Sequence, residues 1–448
     1  MAVVVGYSKC NDSLQLMLRL ATTNVMVEYI NEHPPFQAGL TIKETQMARL
    51  PGNSKPRELK KDIYSVGAVD WDRRLFDSLI PLPDGTSYNA FLIKGSEKTA
   101  LIDTVDPPMK DVLLDNLGQL DVKKIDYVIF NHAEPDHSGT IREVLAKYPE
   151  AKAVCTDKCK TMLMDRFMVP ENRFKTVADK ETIPLGGRTL EFIHAPWVHW
   201  PETMLTYLQE EKILFPCDFF GSHIATTDMF VRDAGQEYEA AKRYWAEIMM
   251  PFRLQIQKNL DKIKDYKFDI IAPSHGPLHD KPEFIIDAYR HWAFDEPGNT
   301  AVIPYVSMHG STRRMVDYLV DALTRKGVNV KRFDLPYTDA GKLAEALVDA
   351  ATIIIGTPTI LTGPHPAAAY AAVLANALKP QAKFASIIGS YGWGTKVVET
   401  LAALIPNLKV EIIPPVIIKG YPKDADYDAL DKLAAAIADK HKAAGLVK

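Results

Sequence analysis

Beyond residue 300 the chain alternates regularly between apolar, strand-like runs and helical stretches. Five β–α units of this kind follow the break DEPGNT at Asp295–Thr300. Such alternation predicts a parallel sheet with helices on both faces, joined by right-handed crossovers. The predicted strands cover 301–306, 329–333, 351–356, 383–389 and 410–417, and the predicted helices cover 312–326, 340–349, 366–378, 396–404 and 425–442.

The part of the chain before this break has a different pattern. Short strand-like runs, IYSVGAV, NAFLIKG and TALIDTV, begin at Ile63 and are separated by Gly, Pro and Asp. Longer helices are predicted over 14–30 and 238–256. We therefore predict an α/β protein with three regions: an N-terminal extension of unknown role (1–58), a first domain (59–297) and a second domain (298–448).

The composition is that of an ordinary globular protein. The chain has 448 residues, a net charge of −4 and a pI of about 6.3, which does not favour a nucleic-acid-binding or membrane-surface protein. No apolar run approaches the ~20 residues of a membrane span, and the N-terminus is a poor signal peptide, so we expect a cytoplasmic protein. The cysteines are expected to be ordinary thiols, since no second pair completes a metal set: Cys10, Cys155, Cys159 and Cys217.

The stretch NHAEPDHSG, beginning at Asn131, follows the apolar run YVIF. It places four residues of metal-binding type, His132, Glu134, Asp136 and His137, within a loop that Pro135 stiffens. One ion rarely takes four ligands from a single hexapeptide, so two ions are expected. The alternative is a charged loop before a helix, in which an Asp or Ser caps the helix N-terminus.

Three later motifs supply further ligand types after predicted strands. VHWPETM contains His199, FPCDFFGSH contains Asp218, and APSHGPLHD contains His275. A single histidine is more often structural than a ligand, but seven ligand-type residues near successive strand ends are hard to explain as packing. Other histidines lie nearby in the sequence as competitors: His194, His223 and His279.

The motifs HAEPDH, WVHWPE, CDFFG and PSHG, in this order, resemble the metallo-β-lactamase fold. That fold usually carries H-x-H-x-D-H and binds zinc, whereas Glu134 stands here in place of the second histidine. A carboxylate makes the site richer in oxygen, which favours iron or manganese. The H-x-E-x-D-H variant followed by a flavodoxin-like domain resembles the flavodiiron proteins over roughly residues 58–448. The resemblance implies an αββα sandwich followed by a doubly wound sheet with the strand order 2-1-3-4-5.

The same resemblance implies a division of the ligands between two irons. One iron would take His132, Glu134 and His199. The other would take Asp136, His137 and His275, with Asp218 bridging the two ions. His279 is an alternative to His275, and some members of the family do not use the histidine at the position of His137 as a direct ligand.

Three loops after strands of the second domain suit FMN. SMHGST offers hydroxyls, a glycine and backbone N–H groups at a helix N-terminus for a phosphate, and Tyr391 and Trp393 could cover the flavin ring. The loops follow the carboxyl ends of parallel strands, where ligands bind in open sheets, and no G-x-G-x-x-G favours a dinucleotide. The predicted flavin-binding residues are Ser307, Met308, Gly310, Ser311, Thr312, Pro358, Thr359, Ile360, Gly363, Ser390, Tyr391, Gly392, Trp393 and Gly394.

The resemblance implies an FMN- and di-iron-dependent oxidoreductase. It would reduce dioxygen to water, nitric oxide to nitrous oxide, or both, as a head-to-tail homodimer or a dimer of dimers. No C-x-x-C pair follows the flavodoxin-like part, so we expect a separate electron donor, either a rubredoxin-like protein or a reduced deazaflavin.

The alternatives are a zinc-dependent hydrolase of the same fold with a fused flavodoxin-like domain, and an electron carrier that uses FMN alone. Residues expected to influence the choice between O2 and NO are Trp200, Phe219, Phe220 and His223.

Overall fold

The structure is a computed structural model that describes residues 55–447. Two mixed sheets form its first part. In the first sheet the first four strands pair antiparallel and the last four pair parallel. Their spatial order is Arg57–Lys60, Ile63–Ser65, Phe91–Lys94, Thr99–Ile102, Tyr127–Ile129, Lys152–Cys155 and Phe174–Thr176. The second sheet has the order Thr182–Pro184, Thr189–His194, Met204–Leu208, Ile213–Phe215 and Ile270–Ile271.

The two sheets pack face to face over a common apolar core. Phe91 and Ile129 of the first sheet and Phe192 and Phe215 of the second belong to one buried cluster, and the rings of Phe91 and Phe215 lie 5.0 Å apart. Two short strand pairs lie beside this sandwich: Ala68–Asp70 with Thr86–Tyr88, and Leu75–Phe76 with Ile80–Pro81.

Helices cover the outer face of each sheet, which confirms the predicted αββα sandwich. Helices Lys110–Gln119, Ile141–Lys147 and Asp157–Phe167 cover the first sheet, and helices Ala234–Tyr244, Arg253–Ile263 and Pro282–Phe294 cover the second. The helix predicted over 238–256 is wrong in its bounds. A π-helical turn at Trp245–Met249 and a 3₁₀ turn at Met250–Phe252 interrupt it, because Pro251 lacks an N–H group and crowds the preceding turn.

The third sheet has the predicted order 2-1-3-4-5, and its main strands are all parallel. The strands are Asn329–Asp334, Gly298–Tyr305, Ala350–Ile360, Phe384–Tyr391 and, at the far edge, Glu411–Ile412 with Val416–Lys419. Strand Gly363–Pro364 pairs antiparallel with the end of strand Ala350–Ile360. The single strand predicted over 410–417 is wrong, because Pro414 and Pro415 have no N–H group to donate to a neighbouring strand.

Helices lie on both faces of this sheet, as expected for a doubly wound fold. Ser311–Arg325 and Asp424–Ala443 cover one face, and Ala340–Val348, Pro366–Leu378 and Val397–Ala403 cover the other. The remaining short helices are Pro107–Met109, Pro135–Ser138, Glu171–Arg173 and Leu335–Tyr337. Among the described residues, none of the helices is both long and apolar enough to cross a membrane.

The two halves share apolar packing and ion pairs. Nη2 of Arg243 lies 2.7 Å from Oδ1 of Asp339, and Nζ of Lys242 lies 2.5 Å from Oδ2 of Asp349. The domain bounds 59–297 and 298–448 stay predictions. Most of the predicted extension 1–58, the helix over 14–30 and Cys10 lie outside the described residues, while Cys155, Cys159 and Cys217 are buried free thiols.

Candidate di-metal centre

Hydrogen bonds within the protein hold the loop after strand Tyr127–Ile129 in place. Asn131 donates its backbone N–H and its side-chain amide to the two carboxylate oxygens of Asp103, at 2.9 and 3.0 Å. Ser138 donates to the carbonyl oxygens of Ala133 and Glu134. The helix Pro135–Ser138 begins after Glu134, whose side chain makes no capping hydrogen bond. The acids of this loop are therefore not explained as helix caps.

Four of the predicted ligands form a first cluster: His132, Glu134, His199 and Asp218. Their potential ligand atoms all lie within 4.8 Å of one another. Nε2 of His132 and Nε2 of His199 are each 3.0 Å from Oε2 of Glu134. The same two nitrogens lie 3.5 and 3.4 Å from Oδ2 of Asp218.

The other three predicted ligands, Asp136, His137 and His275, form a second cluster. Nε2 of His275 is 3.1 Å from Oδ2 of Asp136 and 3.3 Å from Oδ1 of Asp218. Nε2 of His137 is 3.0 Å from the same oxygen of Asp218. Asp218 therefore presents Oδ2 to the first cluster and Oδ1 to the second, as a carboxylate shared by two ions would.

Several polar atoms of this site are buried without hydrogen bonds of good geometry. Both carboxylate oxygens of Asp136 and of Asp218, and both ring nitrogens of His137, are in this state. Burying such groups unpaired is costly. A pair of cations here would give these carboxylate oxygens, and the Nε2 atom of His137, the partners that they lack.

The electrostatics of the site lead to the same conclusion. Burial lowers the pKa values of His199 and His275, but the neighbouring carboxylates outweigh it and raise them to about 9 and about 10. Burial raises the pKa of Asp218, yet the surrounding histidines hold it well below its ordinary value. The buried carboxylates thus demand positive charge, which metal ions can supply in place of protons.

The competing histidines lie outside the two clusters. Nε2 of His279 is 3.7 Å from Oε1 of Glu237, and the ring of His194 bonds to the carbonyl oxygen of Val177 at 3.1 Å. The ring of His223 packs 4.7 Å from that of His275 but belongs to neither cluster. Geometry therefore favours His275 over His279, while the roles of the individual residues as ligands stay predictions.

Several residues beside the site were missed by the sequence analysis. Oε1 of Glu202 is 2.7 Å from Nδ1 of His132. The ring of Tyr244 lies 6.0 Å from that of His275, and the sulfur of Cys217 could join His137 and Asp218. Burial raises the pKa of Cys217 well above its ordinary value. Glu202 and Cys217 had a signal in the sequence, since they stand in the motifs WVHWPE and CDFFG.

The four residues expected to influence the choice of gas divide into two pairs. Trp200 meets the ring of His132 edge-on at 4.9 Å, and His223 lies against His275. Phe219 and Phe220 instead stack on each other at 3.9 Å and are fully buried against Tyr289.

The predicted flavin loops meet at the carboxyl edge of the third sheet. The hydroxyl of Thr359 donates to that of Thr395 at 2.9 Å. The hydroxyls of Thr312 and Ser390 lie 3.5 Å apart. The three loops are therefore joined to one another by their own side chains.

The first of these loops ends in a helix N-terminus. Gly310 has φ +87°, a left-handed conformation that glycine adopts without strain. The helix Ser311–Arg325 begins directly after it, so its first N–H groups can face a phosphate. The other predicted residues lie on or beside the same loops: Ser307, Met308, Pro358, Ile360, Gly363, Tyr391, Gly392, Trp393 and Gly394.

Comparison with known proteins agrees with this architecture. Residues 86–276 match a family described as ODP family beta lactamase. The chain is 37% identical to a nitric oxide reductase of Moorella thermoacetica, over 86% of this chain and 100% of that protein. It is 32% identical to an anaerobic nitric oxide reductase flavorubredoxin of Salmonella typhi, over 83% of this chain and 79% of that protein.

Solved structures extend the likeness to both halves of the chain. The rubredoxin oxygen:oxidoreductase of Desulfovibrio gigas superposes with a TM-score of 0.84 at 30% identity, covering 87% of this chain and 99% of that one. The flavodiiron protein of Giardia intestinalis superposes with a TM-score of 0.79 at 28% identity, again covering 87% and 99%. With its paired clusters, its doubly wound sheet and these relatives, the chain belongs to the flavodiiron protein family.

Proposed function

We propose that this chain is an oxidoreductase that reduces dioxygen to water, nitric oxide to nitrous oxide, or both, at a di-iron centre. Electrons would reach the irons through FMN from an external donor. The observation that carries the proposal is the position of Asp218, which offers one oxygen to each of two buried ligand clusters. Relatives named as nitric oxide reductases and as a rubredoxin oxygen:oxidoreductase support the same chemistry.

The donor set favours iron over zinc. Three carboxylates, Glu134, Asp136 and Asp218, stand beside four histidines, and oxygen-rich sites suit iron or manganese. Zinc cannot change valence, whereas two irons when bound supply two electrons and open coordination positions for a gas molecule. The zinc hydrolase is therefore not favoured.

The residues of the chain would hold the metals and shape the site around them. Glu202 and the carbonyl oxygen of Ser87 orient His132 and His275 through their Nδ1 atoms, which leaves Nε2 free to face an ion. Phe76, Trp200 and Tyr244 place aromatic rings against these histidines and keep bulk water away. The overall reactions are O2 + 4 e⁻ + 4 H⁺ → 2 H2O and 2 NO + 2 e⁻ + 2 H⁺ → N2O + H2O.

The first test is metal analysis followed by steady-state gas consumption. We expect the purified protein to contain iron and FMN, and to consume O2 or NO when a regenerating donor supplies electrons. Faster consumption of O2 would make it an oxygen reductase, and faster consumption of NO a nitric oxide reductase. Zinc in place of iron, or no turnover of either gas, would contradict the proposal.

The flavin site offers a separate prediction at Gly389. A Cβ atom added there would lie 2.3 Å from the carbonyl oxygen of Thr357 on the neighbouring strand, at the point where two of the proposed flavin loops leave the sheet. We expect Gly389→Ala to push these loops apart and to lower the FMN content, measured by flavin absorbance. The iron content should stay unchanged.

The matched control is Gly298→Ala in the same sheet. A Cβ atom there would meet the carbonyl oxygen of Asp349 at 3.6 Å, an ordinary contact distance. We expect this variant to retain its FMN. Equal flavin loss in both variants would show that the sheet in general, and not the loops, is sensitive to an added methyl group.

The donor and the assembly of the protein belong to the same proposal. We take the donor to be a rubredoxin-like protein or a reduced deazaflavin. Apolar side chains are exposed near the metal site, at Leu79 (61%) and Trp197 (44%), and on the flavin edge, at Leu361 (86%) and Trp393 (84%). We further propose a head-to-tail dimer, which would cover these side chains and bring the flavin of one copy to the irons of the other. Full activity from a monomer in a size-resolved assay would contradict this arrangement.

A further inference from the structure

The two metal clusters differ in the groups that stand behind their histidines. Nδ1 of His132 lies 2.7 Å from Oε1 of Glu202, and both side chains are fully buried. In the other cluster, Nδ1 of His275 lies 2.6 Å from the carbonyl oxygen of Ser87. One histidine therefore donates to a carboxylate and the other to a neutral amide carbonyl.

Glu202 is held firmly in this position. Its Oε1 also accepts the backbone N–H of Ala133 at 3.0 Å, and its backbone carbonyl accepts the hydroxyl of Thr156 at 2.9 Å. The carboxylate is thus tied to the ligand loop, and the backbone of Glu202 is tied to the start of helix Asp157–Phe167. The carboxylate cannot turn away from His132 without losing the bond from Ala133.

The direct ligands alone would make the two ions nearly equivalent. Each cluster has two histidines and one carboxylate of its own, Glu134 in the first and Asp136 in the second. Asp218 is shared through one oxygen to each side. The carboxylate of Glu202 therefore breaks the balance, since it is hydrogen-bonded to a histidine of the first cluster only. Asp103, another buried carboxylate beside the site, interacts with histidines of both clusters, His137 and His132.

Such a charge acts on the metal in two ways. A carboxylate that accepts the Nδ1 proton of a histidine makes that histidine a stronger electron donor. A negative charge in a dry interior also favours the more highly charged state of a nearby ion. Both effects favour the ferric over the ferrous state, and both act on the ion beside His132.

We propose that Glu202 makes the iron held by His132, Glu134 and His199 the harder of the two to reduce. When the pair has taken up one electron, that iron is ferric and the iron held by Asp136, His137 and His275 is ferrous. Glu202 touches no reacting atom and is a positioning residue that acts through His132. The inference rests on the proposed function, because it requires iron in both clusters.

The test is a redox titration of the iron- and FMN-containing holoenzyme with dithionite, followed by electron paramagnetic resonance of the one-electron-reduced pair. Glu202→Gln keeps the size of the side chain and removes its charge. We expect the lower of the two iron midpoint potentials to rise by about 59 mV. For a one-electron couple, this shift corresponds to a change of about tenfold in the preference for ferric over ferrous iron. The upper midpoint should move less, so the one-electron-reduced pair accumulates over a narrower range.

Glu237→Gln is the matched control. Glu237 is as buried as Glu202 but contacts Ser222 and His279, and burial raises the pKa of Glu237 to about 8. It therefore holds a proton near neutral pH, and the change to glutamine removes no charge. We expect both midpoints of this variant to match those of the unmodified protein.

The remaining outcomes separate the inference from the proposed function. Equal shifts of both midpoints, or no shift, in Glu202→Gln with full iron would overturn the role of Glu202. Zinc in both clusters and no iron signal would overturn the proposed function itself. If the glutamine variant takes up too little iron, Glu202→Asp keeps the charge at a greater distance, and we expect a smaller rise confined to the lower midpoint. An unchanged lower midpoint in that variant would count against the inference.

Discussion

Replacing Asp218 by asparagine is expected to abolish gas reduction and to empty the di-iron centre. Each carboxylate oxygen of Asp218 faces one cluster, at 3.0 to 3.5 Å from the histidine nitrogens. An amide keeps the shape of the group but loses its charge, and its NH2 end cannot bind a cation. Loss of an outer partner of a metal ligand costs about 10- to 100-fold in affinity or activity, so loss of the shared ligand should exceed the upper end of that range.

This prediction is checked by three measurements on the same preparation. Iron content and turnover of O2 and NO should fall together, while FMN content should stay, because the proposed flavin loops belong to the third sheet. The control is Asp228→Asn, which changes an exposed carboxylate ten positions further along the chain. This variant should keep its iron content, its turnover and its FMN content. Full activity in Asp218→Asn would revive the view of the protein as an electron carrier that uses FMN alone.

The architecture was predictable where local pattern and connectivity decide it. The β–α alternation beyond residue 300 indicates a doubly wound sheet, and the resemblance implies the order that the structure shows. The errors fall at prolines. Pro251 interrupts a predicted helix, and Pro414 with Pro415 divides a predicted strand, since proline removes a backbone donor whatever its neighbours prefer.

The site was predictable to the level of its motifs and no further. Three motifs far apart in the chain bring His199, Asp218 and His275 to the loop after Asn131, and their order could be compared with a family pattern. The partner of Nδ1 in His275 could not be found in this way. It is a backbone carbonyl 188 positions away, and any residue type supplies a carbonyl, so only the folded chain reveals it.

Glu237 should make the protein less stable as the pH rises, and its replacement by glutamine should remove that loss. The side chain is buried, and the hydroxyl of Ser222 donates to it at 3.0 Å. Burial raises its pKa from the ordinary value of 4.5 to about 8. Because the folded state holds this proton more tightly than the unfolded state, the contribution to stability is complete below 4.5. It is then lost as the pH rises towards 8.

The expected size follows from the same linkage. Each unit of pH in this window costs about 1.4 kcal/mol, so the folded protein should lose about 3 kcal/mol through Glu237 between about pH 5 and about pH 7. Glu237→Gln needs no proton and should escape this loss. The gap between the thermal midpoints of the variant and the unmodified holoenzyme should therefore widen steadily with pH, in favour of the variant.

The neighbourhood of Glu237 supplies both the control and the contrary result. Glu239→Gln removes an exposed carboxylate on the same helix and should leave the pH dependence as it is. Nε2 of His279 lies 3.7 Å from Oε1 of Glu237, and burial lowers the pKa of that histidine to about 4, so the structure favours a neutral pair. If a charged pair formed instead, Glu237→Gln would strand a buried cation and lower the thermal midpoint at neutral pH. The sign of the shift therefore decides which of the two side chains holds the proton.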